Sequence, residues 1–201
     1  MALNFANNNS LSAITALPAS ISGGALNLIS TTTASSSATL DITSGIDSTY
    51  KEYVFKFINM HPASDGIYLQ FQGNVAGGSG FNETITSSNF IAYHFEDGSD
   101  QALSYNAGGD LAQGTGFQRL SQNVGNDADQ CVSGFLHLFE PSSTTFVKHF
   151  VATTNTIADD NGPANSFVAG YFNTTSAIDE IQFKMSSGNI DSGVIKLYGV
   201  S

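Results

Sequence analysis

The chain has 201 residues, 41% of them hydrophobic, with 15 Phe and 7 Tyr but no Trp, which is enough apolar material for the core of one domain and excludes global disorder. Six Lys and Arg stand against 17 Asp and Glu, a formal net charge of -11, so the surface repels phosphate backbones and anionic headgroups and no nucleic-acid partner is expected. Charged residues make up only 11% of the chain, leaving solubility to hydroxyl and amide side chains, a composition that suits packing against copies of itself or a larger particle.

Residues 1–36 are compositionally biased, with Asn7-Asn8-Asn9-Ser10 followed by Ser and Thr crowded around Ser30-Thr31-Thr32-Thr33-Ala34-Ser35-Ser36-Ser37. Such a tract reads as an extended N-terminal arm. Apolar residues at Leu11, Ile14, Leu17, Ile21, Leu26, Leu28 and Ile29 would let it dock on a neighbouring subunit; the alternative is a first strand folded back on the domain. No basic segment precedes an apolar stretch as in a secretory signal, and no uninterrupted apolar run is long enough to span a bilayer. The protein is therefore expected to be made and kept in a cytoplasm until assembly, without membrane insertion.

Residues 37–201 read as one domain. Residues 38–43 alternate and predict an opening strand. The most strongly patterned stretch follows at residues 48–72: Tyr53, Phe55 and Phe57 share one face of a first arm, and Ile67, Leu69 and Phe71 one face of a second. Period-two alternation means half-buried strands. The intervening Pro62 and Gly66 supply turn chemistry, so the arms are expected to pair as a hairpin. After a Gly-rich loop at residues 73–80, strands are predicted at residues 89–95, 132–139, 145–152, 166–173, 180–185 and 194–200, with a second hairpin turning at Glu140-Pro141-Ser142-Ser143. Residues 101–130 and 153–163 read as loops. About nine strands with frequent turns, and no 3.6-residue periodicity, predict an all-β fold: a single antiparallel β-sandwich, jelly-roll-like, with the extended N-terminal arm.

No catalytic or metal-binding constellation stands out, and no cofactor site is expected. His61, His94, His137 and His149 lack metal-ligand spacing. Acidic runs at Glu96-Asp97-Gly98-Ser99-Asp100, Asn126-Asp127-Ala128-Asp129 and Asp159-Asp160-Asn161 read as solvated turns, without the spacing of a twelve-residue calcium loop. Glu52, Glu83, Glu96, Glu140 and Glu180 offer carboxylates, but no pair is singled out for glycoside hydrolysis. There is no G-x-S-x-G elbow. Cys131, the lone cysteine, reads as a small core residue. Tyr68, Tyr93, Tyr105 and Tyr171 are candidates for a sugar-stacking platform.

One resemblance spans most of the chain. The run Gly45-Ile46-Asp47-Ser48-Thr49-Tyr50-Lys51-Glu52-Tyr53, continued by Phe57-Ile58-Asn59-Met60-His61-Pro62-Ala63-Ser64-Asp65, resembles a segment of tailed-phage virion proteins, especially those of marine phages. The opening Ser22-Gly23-Gly24-Ala25-Leu26-Asn27-Leu28-Ile29-Ser30 and the closing stretch from Phe183 to Val200 are similar to the ends of the same group. The resemblance implies a structural component of the virion, not an enzyme, present in repeated copies as a capsid decoration, head fibre or tail component. Its partners would be other virion proteins and copies of itself. The alternative is a receptor-binding adhesin that recognises host surface glycan.

Overall fold

The computed structural model describes residues 25–201, and among them it contains strands and turns but no helix. The strands are β1 (Leu26–Ser37), β2 (Leu40–Ile42), β3 (Glu52–Pro62), β4 (Leu69–Val75), β5 (Ile85–His94), β6 (Gln101–Tyr105), β7 (Ala112–Gly114), β8 (Gln118–Arg119), β9 (Val132–Phe139), β10 (Lys148–Ile157), β11 (Pro163–Phe172), β12 (Ile178–Met185) and β13 (Ile190–Val200). They form two antiparallel sheets. The larger runs β1-β13-β3-β9-β10-β11-β5-β6, with β7 also paired to β5, and the smaller runs β2-β12-β4-β8. The protein is an all-β sandwich, jelly-roll-like in the way its chain steps repeatedly from one sheet to the other.

The alternation visible in the sequence becomes the core. Tyr53, Phe55 and Phe57 of β3, Leu136 and Leu138 of β9, Phe150 of β10 and Leu197 of β13 face Leu69 and Phe71 of β4 and Ile181 and Phe183 of β12, all buried. Aromatic rings bridge the two sheets: Phe71 meets Phe150 edge-on with centroids 5.0 Å apart, and Phe57 meets Phe183 at 5.2 Å. Burying each such side chain contributes roughly 1.5–3 kcal/mol, and the edge-to-face pairs add to it. Tyr53 carries a polar tip into this core. Its hydroxyl accepts the Asp47 N–H and donates to the Asp47 carbonyl, both at 2.9 Å, so the buried oxygen is satisfied.

The stretch at residues 48–72 is not a hairpin. Its first arm, β3, pairs with β13 and β9, while its second, β4, lies in the other sheet between β12 and β8. An arch joining two facing sheets buries the same alternate residues as a hairpin folded within one, so the pattern is right and the pairing differs. The turn chemistry is used nonetheless: Gly66 takes φ 65°, and Asn59 takes φ 48° at an irregularity in β3. The second expected hairpin does form, with Leu138 opposite Phe150. There β10 continues to Ile157, into what read as a polar excursion.

Residues 26–36 of the expected arm form most of β1, an edge strand paired with β13 from Leu26↔Val200 to Ser37↔Ile190. Thr-rich segments are good strand formers, and this one belongs to the sheet. Of the rest of the expected arm, residues 1–24 lie outside the described residues. The region at residues 101–130, read as exposed loop, carries β6, β7 and β8 and is tied down in places: Leu120 N–H donates to Leu69 O at 2.8 Å, and Val124 pairs with Ile67.

The segments that carry the resemblance pack on one another. Tyr50 lies over Gly199, where an added Cβ would fall 2.2 Å from its ring, and only glycine permits that approach. The Ala63 N–H donates to Asn189 O at 3.0 Å, joining the His-Pro-Ala-Ser-Asp turn to the closing stretch. The opening stretch supplies the first part of β1, alongside the end of β13. These motifs meet as determinants of the fold.

Candidate functional site

Two surfaces carry distinctive chemistry. The first is a groove at one end of the sandwich. As β5 ends, Phe95 N–H donates to Asp100 O at 2.9 Å and closes the acidic turn, and Asp97 Oδ1 accepts the Ser99 N–H at 2.9 Å. Tyr93 and Phe95, two residues apart and therefore on one face, place their rings 5.6 Å apart. The turn after β10 comes up beside them, fixed by Ala158 N–H to Gly162 O at 2.9 Å and by Asp159 N–H to Asn123 O at 3.1 Å. Between these loops lies a groove of about 150 Å³ lined by Ile91, Tyr93, Phe95, Gln122, Asn123 and Asp160.

The carboxylate that lines the groove is Asp160. Behind it, burial raises the Asp159 carboxyl above its usual range, and the neighbouring Asp160 and Asp65 carboxylates raise it further. Tyr93 donates its hydroxyl to Asp100 Oδ2 at 2.9 Å, and this bond to the carboxylate, followed by burial, raises the phenol pKa. Two apolar rings beside amide and carboxylate groups form a surface able to stack on a sugar face and bond its hydroxyls.

The structure thus joins two acidic runs that lie far apart in sequence, since Glu96 and Asp97 line a cavity together with Asp160 and Asn161. The third run reaches the same end through Asn126 N–H to Asp65 Oδ1 at 3.1 Å. Among the described residues no three His, Cys, Asp or Glu side chains are placed to hold a metal ion. The histidines are scattered: His61 Nδ1 lies 2.6 Å from Gln130 O, His137 meets Glu52, His149 packs on Tyr171, and His94 is exposed. Of the other carboxylates, Glu140 pairs with Lys51 at 3.0 Å and Glu180 accepts from Asn74 at 2.8 Å.

Of the four tyrosines, Tyr93 alone lines this groove. Tyr68 lies under the Arg119 guanidinium at 3.3 Å, Tyr171 packs on His149, and Tyr105 bonds Asp110. Cys131 is not a core residue. It is half-buried, with Sγ 4.0 Å from Asn59 Oδ1, and burial pushes its thiol pKa up, away from reactivity. Phe95, missed by the sequence reading as a site residue, has a sequence signal in retrospect: it is the last aromatic before an acidic turn, on the face of Tyr93.

The second surface is the outer face of the larger sheet. Register aligns Phe135, Thr153, Phe167, Phe90 and Tyr105 across five adjacent strands, β9 to β6. Phe90 and Phe167 stack with centroids 4.8 Å apart. Phe90 is 43%, Phe135 40% and Tyr105 59% exposed, and Val151 and Leu103 beside the row are exposed too. A row of exposed rings on a sheet face carries little energetic benefit to a lone monomer and is a mark of an interaction surface. Comparisons with protein-family models, curated proteins and solved structures give no match to this chain.

Proposed function

We propose that the protein is a non-enzymatic structural component of a tailed-phage particle, made in the host cytoplasm and built into the virion in repeated copies as a capsid decoration, head fibre or tail component. The observation that carries this reading is the aromatic row on the outer sheet face, an apolar strip of exposed rings held in register across adjacent strands. Its partners are other virion proteins and further copies of the chain. Function here is geometric: many weak contacts add through multivalency. The resemblance supports the same reading, because its motifs pack on one another as determinants of the fold.

Purified particles from the infected host, analysed by quantitative mass spectrometry and labelled with an antibody to the protein, are expected to contain many copies at one structural location. Removal of residues 1–24, the part of the docking arm that precedes β1, is expected to abolish incorporation while leaving a folded sandwich. Absence of the protein from intact particles overturns the reading, and normal incorporation of the truncated chain overturns the role of the arm.

The groove at Tyr93 and Phe95 favours a second reading, a receptor-binding adhesin for host surface glycan. In that case labelled protein is expected to bind host cells and to be released by a competing glycan, and Tyr93→Ala is expected to weaken binding by about tenfold or more, the loss of one aromatic stacking contact. Cell labelling unchanged in Tyr93→Ala removes the groove from consideration.

A further inference from the structure

We infer that the outer edge of β1 pairs antiparallel with β1 of a second copy, joining the larger sheets of two molecules into one. β1 spans 12 residues, whereas the other strands at sheet edges among the described residues are short: β2 has 3 residues, β8 has 2, β6 has 5 and β7 has 3. Short edges are one way a β protein avoids pairing with its neighbours; the others are charges, prolines and bulges. β1 has an irregularity between Leu28 and Ser30 and a positive φ of 48° at Ser36. Between them Thr31 to Ser35 pairs regularly with β13 and holds no proline and no charge.

The absence of charge extends further. The first charged residue in the chain is Asp41, so all 17 acidic residues lie at or beyond that position. Two copies of a chain with net charge -11 repel each other over most approaches. An approach along β1 brings no carboxylate of either β1 strand against the other. A partner of opposite charge gains nothing at this edge, whereas a second copy meets a surface it can tolerate.

The backbone fixes which residues of β1 face outward. The Ser35 N–H donates to Ser37 Oγ at 3.1 Å, so it points away from β13. By the alternation of an antiparallel ladder, Thr31 and Thr33 also aim their N–H and C=O groups outward, while Thr32 and Ala34 bond β13. Among the described residues no strand pairs with that side. Centring the pair on Thr33, the midpoint of the regular run, sets Thr33 against Thr33 of the second copy and Thr31 against its Ser35, with the Ser35 N–H exchanging its bond to Ser37. The side chains of Thr31, Thr33 and Ser35 are exposed, so each can be changed without touching the core.

This pairing deepens the reading as a repeated particle component, but it is measured on the purified full chain, so its failure and the failure of the particle assignment are separate results. Sedimentation equilibrium is expected to show a concentration-dependent monomer–dimer equilibrium. A triple variant, Thr31→Lys, Thr33→Lys and Ser35→Lys, places like charges opposite at each of the three outward pairs and is expected to weaken the dimer by about tenfold or more. The matching triple Glu variant is expected to do the same, and an equimolar mixture of the two is expected to restore a dimer. Circular dichroism and melting of both variants are expected to match the parent. A parent that is monomeric at every concentration, a dimer indifferent to the lysines, or a mixture that stays monomeric overturns the proposal. So does a dimer that forms only when residues 1–24 are removed, since the chain's own beginning then occupies the edge.

Discussion

Phe71→Ala is expected to destabilise the domain by about 3–5 kcal/mol, a large share of the roughly 5–15 kcal/mol that holds a typical domain folded. Phe71 is fully buried on β4, and its ring touches three others: Phe150 at 5.0 Å, Phe172 at 5.9 Å and Phe183 at 6.2 Å between centroids. Phe150 and Phe172 belong to the larger sheet, so this one ring is a pin between the layers. Removing it loses the transfer energy of the ring and leaves a cavity that two rigid sheets cannot collapse to fill. Urea denaturation is expected to show a lower midpoint with an unchanged m-value. Phe90→Ala is the control, because that ring is exposed on the outer face, and its cost is expected to stay below about 1 kcal/mol. Equal costs at the two positions would mean that the sheets do not pack through Phe71.

Phe71 was legible as a core residue from the sequence, and so were its partners. Tyr53, Phe55, Phe57 and Phe71 all fell on apolar faces by period two, and all are buried. What the period could not reveal is which strand lies next to which. β3 takes β13 and β9 as neighbours, and nothing in the alternation of β3 distinguishes those distant strands from the adjacent β4. Connections between facing sheets and within one sheet bury the same side chains, so the choice rests on closure of the whole sandwich. The turn at Glu140-Pro141 was readable because a local hairpin needs only its own two strands. β1 was read first as docking arm, with a strand folded back on the domain as the alternative, for a compositional reason. Its Ser and Thr lack the apolar contrast that marks a strand, since at an edge only Ala34 of its second half is buried. The groove at Tyr93 was half visible, as an aromatic before one acidic run; its other wall, Asp160, arrives from a separate loop by tertiary folding alone.

The region at residues 101–130 was illegible for a different reason, and it sets up the second large effect. Its anchors are buried amides, which carry no periodic signal. Gln72 is fully buried beside Phe71, with Nε2 donating to Glu83 O and Gly116 O, both at 2.9 Å, and Oε1 accepting the Gly73 N–H at 2.8 Å. Gln118, also fully buried, donates to Gly109 O at 2.7 Å and accepts from Ser87 Oγ at 2.5 Å. These bonds replace the sheet pairing that residues 106–117 largely lack, so the segment is held by side chains. Gln72→Leu keeps the volume but strands the buried Gly73 N–H and frees the Glu83 and Gly116 carbonyls from their anchor, and a cost of roughly 1–3 kcal/mol is expected, that of one unsatisfied buried group. Amide exchange is expected to accelerate first in residues 106–117, ahead of β9 and β10. Gln72→Glu adds a sign test. Burial among carbonyl oxygens raises the folded-state pKa of the new carboxyl above its unfolded value. Its protonated form donates much as the amide does, so the variant is expected to approach parental stability at acidic pH and to lose stability as pH rises through the unfolded and folded pKa values. A penalty for Gln72→Glu that is flat with pH, or exchange in Gln72→Leu that rises uniformly over the domain, would show that the amide does not anchor this segment.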